Sequence, residues 1–313
     1  TTEIYTLSLH DALPIFGGGS AADSAKAIAA GVPYDGDVWD FYDGSAEPEE
    51  VLPVGTIITL AATGTEGSNS SVISKTDENG VVYKRGLNVD AIRPAFSIMN
   101  HELTFTVPAY QKAAGITDIM SHILERYISN TEHVFLSDSL CEAVLRAVIQ
   151  AGPEAIADPE DYEAHATIMW AGTLAHNNIL GVGREQDWSS HQIEHELSAA
   201  YDVTHGAGLA VVHPAFMQYT LQTNIERYAR FATEVMGVPD NPYARETVAK
   251  EGIQRFKEFL KRIGMPDNLR AFGVKEEEIP KLAGMVKKTN GDKVGFFQPL
   301  DTKDIEEILK MCY

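Results

Sequence analysis

The apolar pattern of this 313-residue chain changes kind near Phe105, and that change fixes most of what the chain can fold into. Before it, apolar residues come in short runs broken by Gly, Thr and Ser. "FGGGSAADSAKAIAAG" reads as a glycine turn opening an alanine-rich helix that stops near Gly31. "GTIITLAATGTEGSNSSVIS" reads as a buried strand, a polar loop and a second β-prone run, and "AFSIMN" as a short strand. Glycine turn, helix and strands in this order imply a parallel α/β layer. After Phe105 the apolar residues recur at steps of three and four, with Gly or Pro between stretches. The stretches "PAYQKAAGITDIMSHILERYIS", "FLSDSLCEAVLRAVIQAG", "YEAHATIMWAGTLAHNNIL", "SSHQIEHELSAAY", "NIERYARFATEVMG", "AKEGIQRFKEFLKRIG" and "TKDIEEILKMC" all read as helices. The expectation is an α/β domain followed by an all-helical one.

Composition narrows the function classes. A formal charge of −20 repels phosphate backbones and anionic lipid, so neither nucleic acid nor membrane is an expected partner. No apolar run reaches the roughly 18–20 residues of a membrane span. Cys141 and Cys312 form no CxxC motif and no disulfide framework, which points to a reducing, cytoplasmic setting.

Histidine and carboxylate spacing carries the chemistry. Asp118 and His122 in "TDIMSHILERY" are four residues apart, as are His191 and His195 in "HQIEHELSAAYDVTHG", so on helices each pair shares a face. Two such helices facing each other would assemble an oxygen-and-nitrogen site for a divalent cation, with no thiolate. His205 lies ten residues beyond His195 in the same stretch. His101, His133, His165, His176 and His213 lack this spacing and read as structural or surface residues. "GGGSAA" fits G-x-G-x-x-A from Gly17 through Gly19 to Ala22, and its helix N-terminus suits a pyrophosphate.

"GGGSAADSAK", "GITDIMSHILERY" and "MWAGTLAHNNILGVGREQDWSSHQIEHELSAAYDVTHGAGLA" together resemble the iron-containing (group III, metal-dependent) alcohol dehydrogenase family, in its branch of butanol dehydrogenases and NADPH-dependent aldehyde reductases. The resemblance implies the dehydroquinate synthase-like architecture: an α/β dinucleotide-binding domain over residues 16–105 and an all-α metal-binding catalytic domain over 106–313. It implies a divalent metal, Fe or Zn with Ni and Mn as further options, held by Asp118, His122, His191 and His205. His195 is then left near nicotinamide and substrate as a proton relay or hydrogen-bond partner, suited by an imidazole pKa near neutrality. For NADP(H) or NAD(H) it implies Gly18, Gly19, Ser20 and Asp23 at the diphosphate, and Thr59, Thr63, Thr65 and Lys84 nearer phosphate, ribose or nicotinamide. The implied reaction is hydride transfer between cofactor and a short-chain aldehyde or primary alcohol, in a homodimer. Trp170 and Trp188 suggest a compact apolar pocket. The alternatives are an NAD- and metal-dependent lyase on the same scaffold, or an inactive truncated fragment.

The last alternative comes from the opening residues. "TTEIYTLSLHDALPI", Thr1 to Ile15, has no period and resembles, codon for codon, a translated sequencing adapter. On that reading the native chain starts near Phe16, the α/β domain is N-terminally truncated, and the "GGGS" turn has almost no strand leading into it. A parallel sheet without its first members exposes edges and apolar faces, so the first domain is expected to fold poorly.

Overall fold

The structure, a computed structural model, describes residues 13–313; the rest of the adapter-like stretch lies outside the described residues. The chain opens with β1 (Leu13–Gly17), the glycine turn and α1 (Gly19–Gly31), followed by the single turn α2 (Asp40–Asp43). The remaining strands are β2 (Val54–Ile58), β3 (Ser70–Thr76), β4 (Val82–Asn88) and β5 (Phe96–Ile98). β1, β2 and β5 form a parallel sheet with β2 in the middle. β3 and β4 pair antiparallel across a turn at Asp77–Gly80, where Gly80 takes the left-handed backbone. The layer is therefore only partly parallel, and this hairpin was not foreseen.

β1 is a correction. The turn does have a strand leading into it, and the first three residues of that strand belong to the adapter-like stretch. "LPIFG" pairs with β2 from Leu13↔Val54 to Gly17↔Ile58. The run is apolar enough to pair, and Pro14 is tolerated because β1 has a strand on one side only among the described residues. Ile15 packs onto the small cluster of Ala25, Ala29 and Val54.

The helical part comprises α3 (Ala109–Tyr127), α4 (Phe135–Ala157), α5 (Tyr162–His176), α6 (Ser189–Tyr201), α7 (His205–Tyr219), α8 (Ile225–Glu234), α9 (Arg245–Arg262), α10 (Ile279–Met285) and α11 (Thr302–Met311). A single apolar core runs from Ala113 in α3 to Cys312 after α11. Sequence periodicity missed α10, which is short, and α7. The α7 segment is apolar on every side, so it shows no amphipathic stripe. Its Gly206 lies so close to the Ala114 carbonyl of α3 that a Cβ would collide with backbone. That close approach brings the first residue of α7 to the middle of α3. α3 itself is buried from Lys112 through Tyr127, so its polar residues must find partners inside. No described helix is long and apolar enough to cross a membrane.

Candidate metal centre and nucleotide cleft

α3, α6 and α7 converge on Asp118. The Nε2 atoms of His122 and His191 lie 3.7 Å from Asp118 Oδ1, and His205 Nε2 lies 3.6 Å from it. A tetrahedral cation with ligand bonds of about 2.1 Å has donor atoms about 3.4 Å apart, close to this spacing. Asp118 Oδ1 and His191 Nε2 are buried without any hydrogen-bond partner. One carboxylate oxygen approached by three imidazoles, with orphaned atoms among them, fits a divalent cation; Asp118, His122 and His191 have donor atoms within 4.8 Å of one another, and His205 joins them through Asp118.

The far sides of two rings are fixed. His191 Nδ1 lies 2.9 Å from Glu125 Oε1, which also accepts the His191 backbone N–H at 3.0 Å. His205 Nδ1 bonds the Glu194 carboxylate. A carboxylate on Nδ1 keeps the proton there and turns the Nε2 lone pair inward. Burial holds His122 far below the ordinary imidazole range, aided by the neighbouring His176 and His191, so it is a neutral donor. Burial acts the same way on His191, but the Asp118 and Glu125 carboxylates outweigh it and raise that ring to about 9. The cluster is short of positive charge, and a cation would supply it. Sequence reasoning missed Glu125 and Glu194; each falls three residues after a histidine of the cluster, on the same helix face.

His195 is buried one turn along α6, its ring centroid 6.5 Å from His191 and 5.5 Å from His205. Burial, and then Lys84 and His205, push its pKa well below the ordinary value. That direction favours the neutral imidazole over the imidazolium.

A cleft of about 510 Å³ runs from this cluster to the glycine turn. Of the residues expected at the nucleotide, Gly19, Ser20, Asp23, Thr63, Thr65 and Lys84 line it, while Gly18 and Thr59 do not. The N-terminus of α1 has no side-chain cap and no acidic residue in its first turn, leaving its N–H groups free for an anion. A Cβ on Gly19 would lie 2.6 Å from Thr63 Oγ1, so only glycine lets the loop approach the turn this closely. Asp23 faces inward as a brace, accepting from Thr65 Oγ1 at 2.8 Å and from the Val72 N–H at 3.0 Å. Lys26, which sequence reasoning did not single out, is buried and donates to the Thr65, Ser68 and Ser70 carbonyls at 2.8–3.0 Å. It holds the Thr65–Ser70 loop against α1.

The cleft is also lined by Arg126, His176, Gln186, Trp188 and Gln192. Trp170 is not there; it is 56% exposed. His176 was expected to be structural, yet its ring lies 4.1 Å from that of His122. His101, His165 and His213 do stand apart from the cleft, and His133 lies in an exposed loop.

The profile for iron-containing alcohol dehydrogenase matches residues 10–101, and that for the C-terminal part of the Fe-containing alcohol dehydrogenase family matches residues 112–313. The chain is 40% identical to NADH-dependent butanol dehydrogenase A of Clostridium acetobutylicum over 304 residues, 97% of this chain and 77% of that protein. It is 30% identical to the NADPH-dependent aldehyde reductase YqhD of Escherichia coli over 282 residues, 89% of this chain and 72% of that one. The crystal structure of NADH-dependent butanol dehydrogenase A from Thermotoga maritima superposes with a TM-score of 0.90 at 37% identity, covering 96% of this chain and 76% of the other. The chain belongs to the iron-containing alcohol dehydrogenase family.

Proposed function

We propose that this oxidoreductase transfers a hydride between a nicotinamide cofactor and an aldehyde or primary alcohol, with Asp118, His122, His191 and His205 as the ligands of a divalent cation. The observation that carries the reading is the convergence of three imidazole Nε2 atoms at 3.6–3.7 Å on one orphaned carboxylate oxygen. When bound, the cation supplies Lewis-acid polarisation of the carbonyl, and the nicotinamide supplies or accepts the hydride.

The chain's own residues do the rest. The free N–H groups at the start of α1, with Gly19 and Ser20, take the cofactor diphosphate, and Asp23 braces that turn from inside. Thr63, Thr65 and Lys84 sit along the cleft between turn and cluster and orient the rest of the cofactor. Thr59, at the C-terminal side of β2, supports the turn by donating its backbone N–H to Gly17. His195, neutral and one turn from His191, hydrogen-bonds the reacting oxygen or the carboxamide. Glu125 and Glu194 keep two imidazoles in the tautomer the site needs. The cofactor is NADH or NADPH, and relatives of both kinds are found among the similar proteins.

The test is NADH and NADPH oxidation with butanal, together with metal content by mass spectrometry. The wild-type chain binds one divalent cation and turns over, whereas Asp118→Ala and His205→Ala lose both metal and at least about 10²-fold in kcat/KM, beyond the loss typical of groups that merely orient a ligand. Full activity in either variant would overturn the ligand assignment. Bound metal without any cofactor oxidation would overturn the dehydrogenase reading.

A further inference from the structure

Arg126 stands out among the buried and half-buried arginines of the helical part. Arg184 pairs with Asp138 at 2.8 Å, Arg227 with the same carboxylate at 2.8 Å, and Arg230 bonds Glu142 at 2.6 Å. Arg126 is 3% exposed, and among the described residues no carboxylate forms an ion pair with it. Glu125, its sequence neighbour, is engaged with His191. The guanidinium donates from Nη1 to the His122 carbonyl at 2.8 Å and stacks 4.6 Å from the Trp188 ring, and its Nε has no partner. It lines the same cleft as the ligand cluster.

The surroundings of Arg126 are built to hold that shape. Trp188 takes a left-handed backbone conformation, φ 67°, unusual for an aromatic residue and stable only where neighbours over-determine it. Its indole N–H donates to Gln186 Oε1 at 3.2 Å, and Gln186 Nε2 donates to Asn178 Oδ1 at 2.8 Å. His176 adds a buried Nδ1 with no partner, and Gln192 lines the same wall. An unbranched alkyl tail would bury against these groups and leave a cation and an imidazole nitrogen desolvated with nothing to bond. That arrangement disfavours a purely apolar substrate.

We infer that this wall is a recognition subsite for the far end of the substrate, and that the substrate is an aldehyde or alcohol whose chain ends in a carboxylate, held by Arg126. The inference rests on the proposed hydride-transfer reaction and narrows it from simple short-chain aldehydes to ω-oxo acids and the matching hydroxy acids. A guanidinium in a fixed, water-poor wall is suited to a carboxylate because it offers paired N–H donors in one plane.

The experiment compares 4-oxobutanoate and 5-oxopentanoate with butanal and pentanal as substrates of the full chain. The charged substrates are expected to have kcat/KM values roughly 10- to 100-fold higher, mainly through KM, as one desolvated charge-assisted contact provides. In Arg126→Met that ratio collapses to about one or below, and Arg126→Lys restores part of it. Tryptophan fluorescence titration with 4-hydroxybutanoate against 1-butanol reads the same preference as binding, independently of turnover. An equal or inverted ratio in the wild type overturns the inference, as does a preference that survives in Arg126→Met. Absence of turnover with every aldehyde, alongside carboxylate-dependent binding that Arg126→Met abolishes, would instead overturn the dehydrogenase reading and leave the subsite standing.

Discussion

The helical part and the α/β layer hold their functional residues by different physics. Asp118, His122, His191 and His205 project from three helices whose positions are set by one continuous apolar core. Among the described residues the layer has two small apolar clusters, around Phe41 and Tyr42 and around Val54, and leaves Phe16, Ile28 and Val32 more than half exposed. Its nucleotide-side loop is held instead by buried polar ties from Lys26 and Asp23. Apolar packing is distributed and tolerant of single losses; a polar tie is concentrated in one side chain, and its removal strands several partners at once. The ligand cluster should therefore survive perturbations that dismantle the nucleotide side.

Lys26→Met is the sharpest way to separate the two regions. It removes the donor for three backbone carbonyls and the cation beside Asp23, and should destabilise the layer by roughly 3–5 kcal/mol. Hydrogen exchange is expected to accelerate in α1 and over residues 63–72 while the amides of α3, α6 and α7 keep their protection. Equal acceleration in both regions would show one cooperative unit and end the contrast.

The helical part has polar ties of its own, and one of them is pH-dependent. Asp187, just before α6, accepts the backbone N–H groups of Ser189, Phe296 and Phe297. Burial, reinforced by the nearby Glu125 charge, raises its pKa from 3.8 to about 6. Because the folded value lies above the unfolded one, the fold favours the protonated form. Its stabilising contribution is complete below about pH 4 and is lost as pH rises through about 6, a change of about 3 kcal/mol. Chemical denaturation across that window should show wild-type stability falling with pH relative to Asp187→Asn, which has no carboxyl to titrate. Parallel curves for the two proteins would refute the shift.

What the sequence made legible follows the same division. The long helices announced themselves because each has an amphipathic period, and the facing pairs Asp118/His122 and His191/His195 follow from helix geometry alone. α7 was illegible because a helix buried on all sides has no stripe, although it carries His205. The β3–β4 hairpin was illegible because "VVYKRGLN" interrupts its apolar run with Lys84 and Arg85. Glu125, Arg126, Glu194 and Lys26 were passed over because charged residues ordinarily belong to the solvent face, and only tertiary packing shows them buried. The strand at Leu13–Gly17 was illegible because the resemblance of its first three residues to translated adapter outweighed their β propensity.

The two regions meet at α6, and the smallest expected effect tests how tightly. Arg85 Nη1 of β4 reaches Glu196 Oε1 of α6 at 3.2 Å, and Lys84 Nζ lies 4.0 Å from Glu194, the carboxylate that orients His205. Glu196 is 2% exposed and its other oxygen has no partner, so burial raises its pKa and Arg85 works against that. The hairpin that carries a cofactor-side lysine is thus clamped to the helix that carries His191 and His195. A double-mutant cycle with Arg85→Met and Glu196→Gln should give a coupling of about 1–2 kcal/mol in unfolding, since the pair is shielded yet Arg85 keeps some solvent contact. The same cycle read in KM for the nicotinamide cofactor should show coupling of the same sign, because loosening the hairpin moves Lys84 along with it. Coupling in stability with none in KM would mean that the hairpin braces α6 without positioning the cofactor, and that the two regions share a boundary rather than a site.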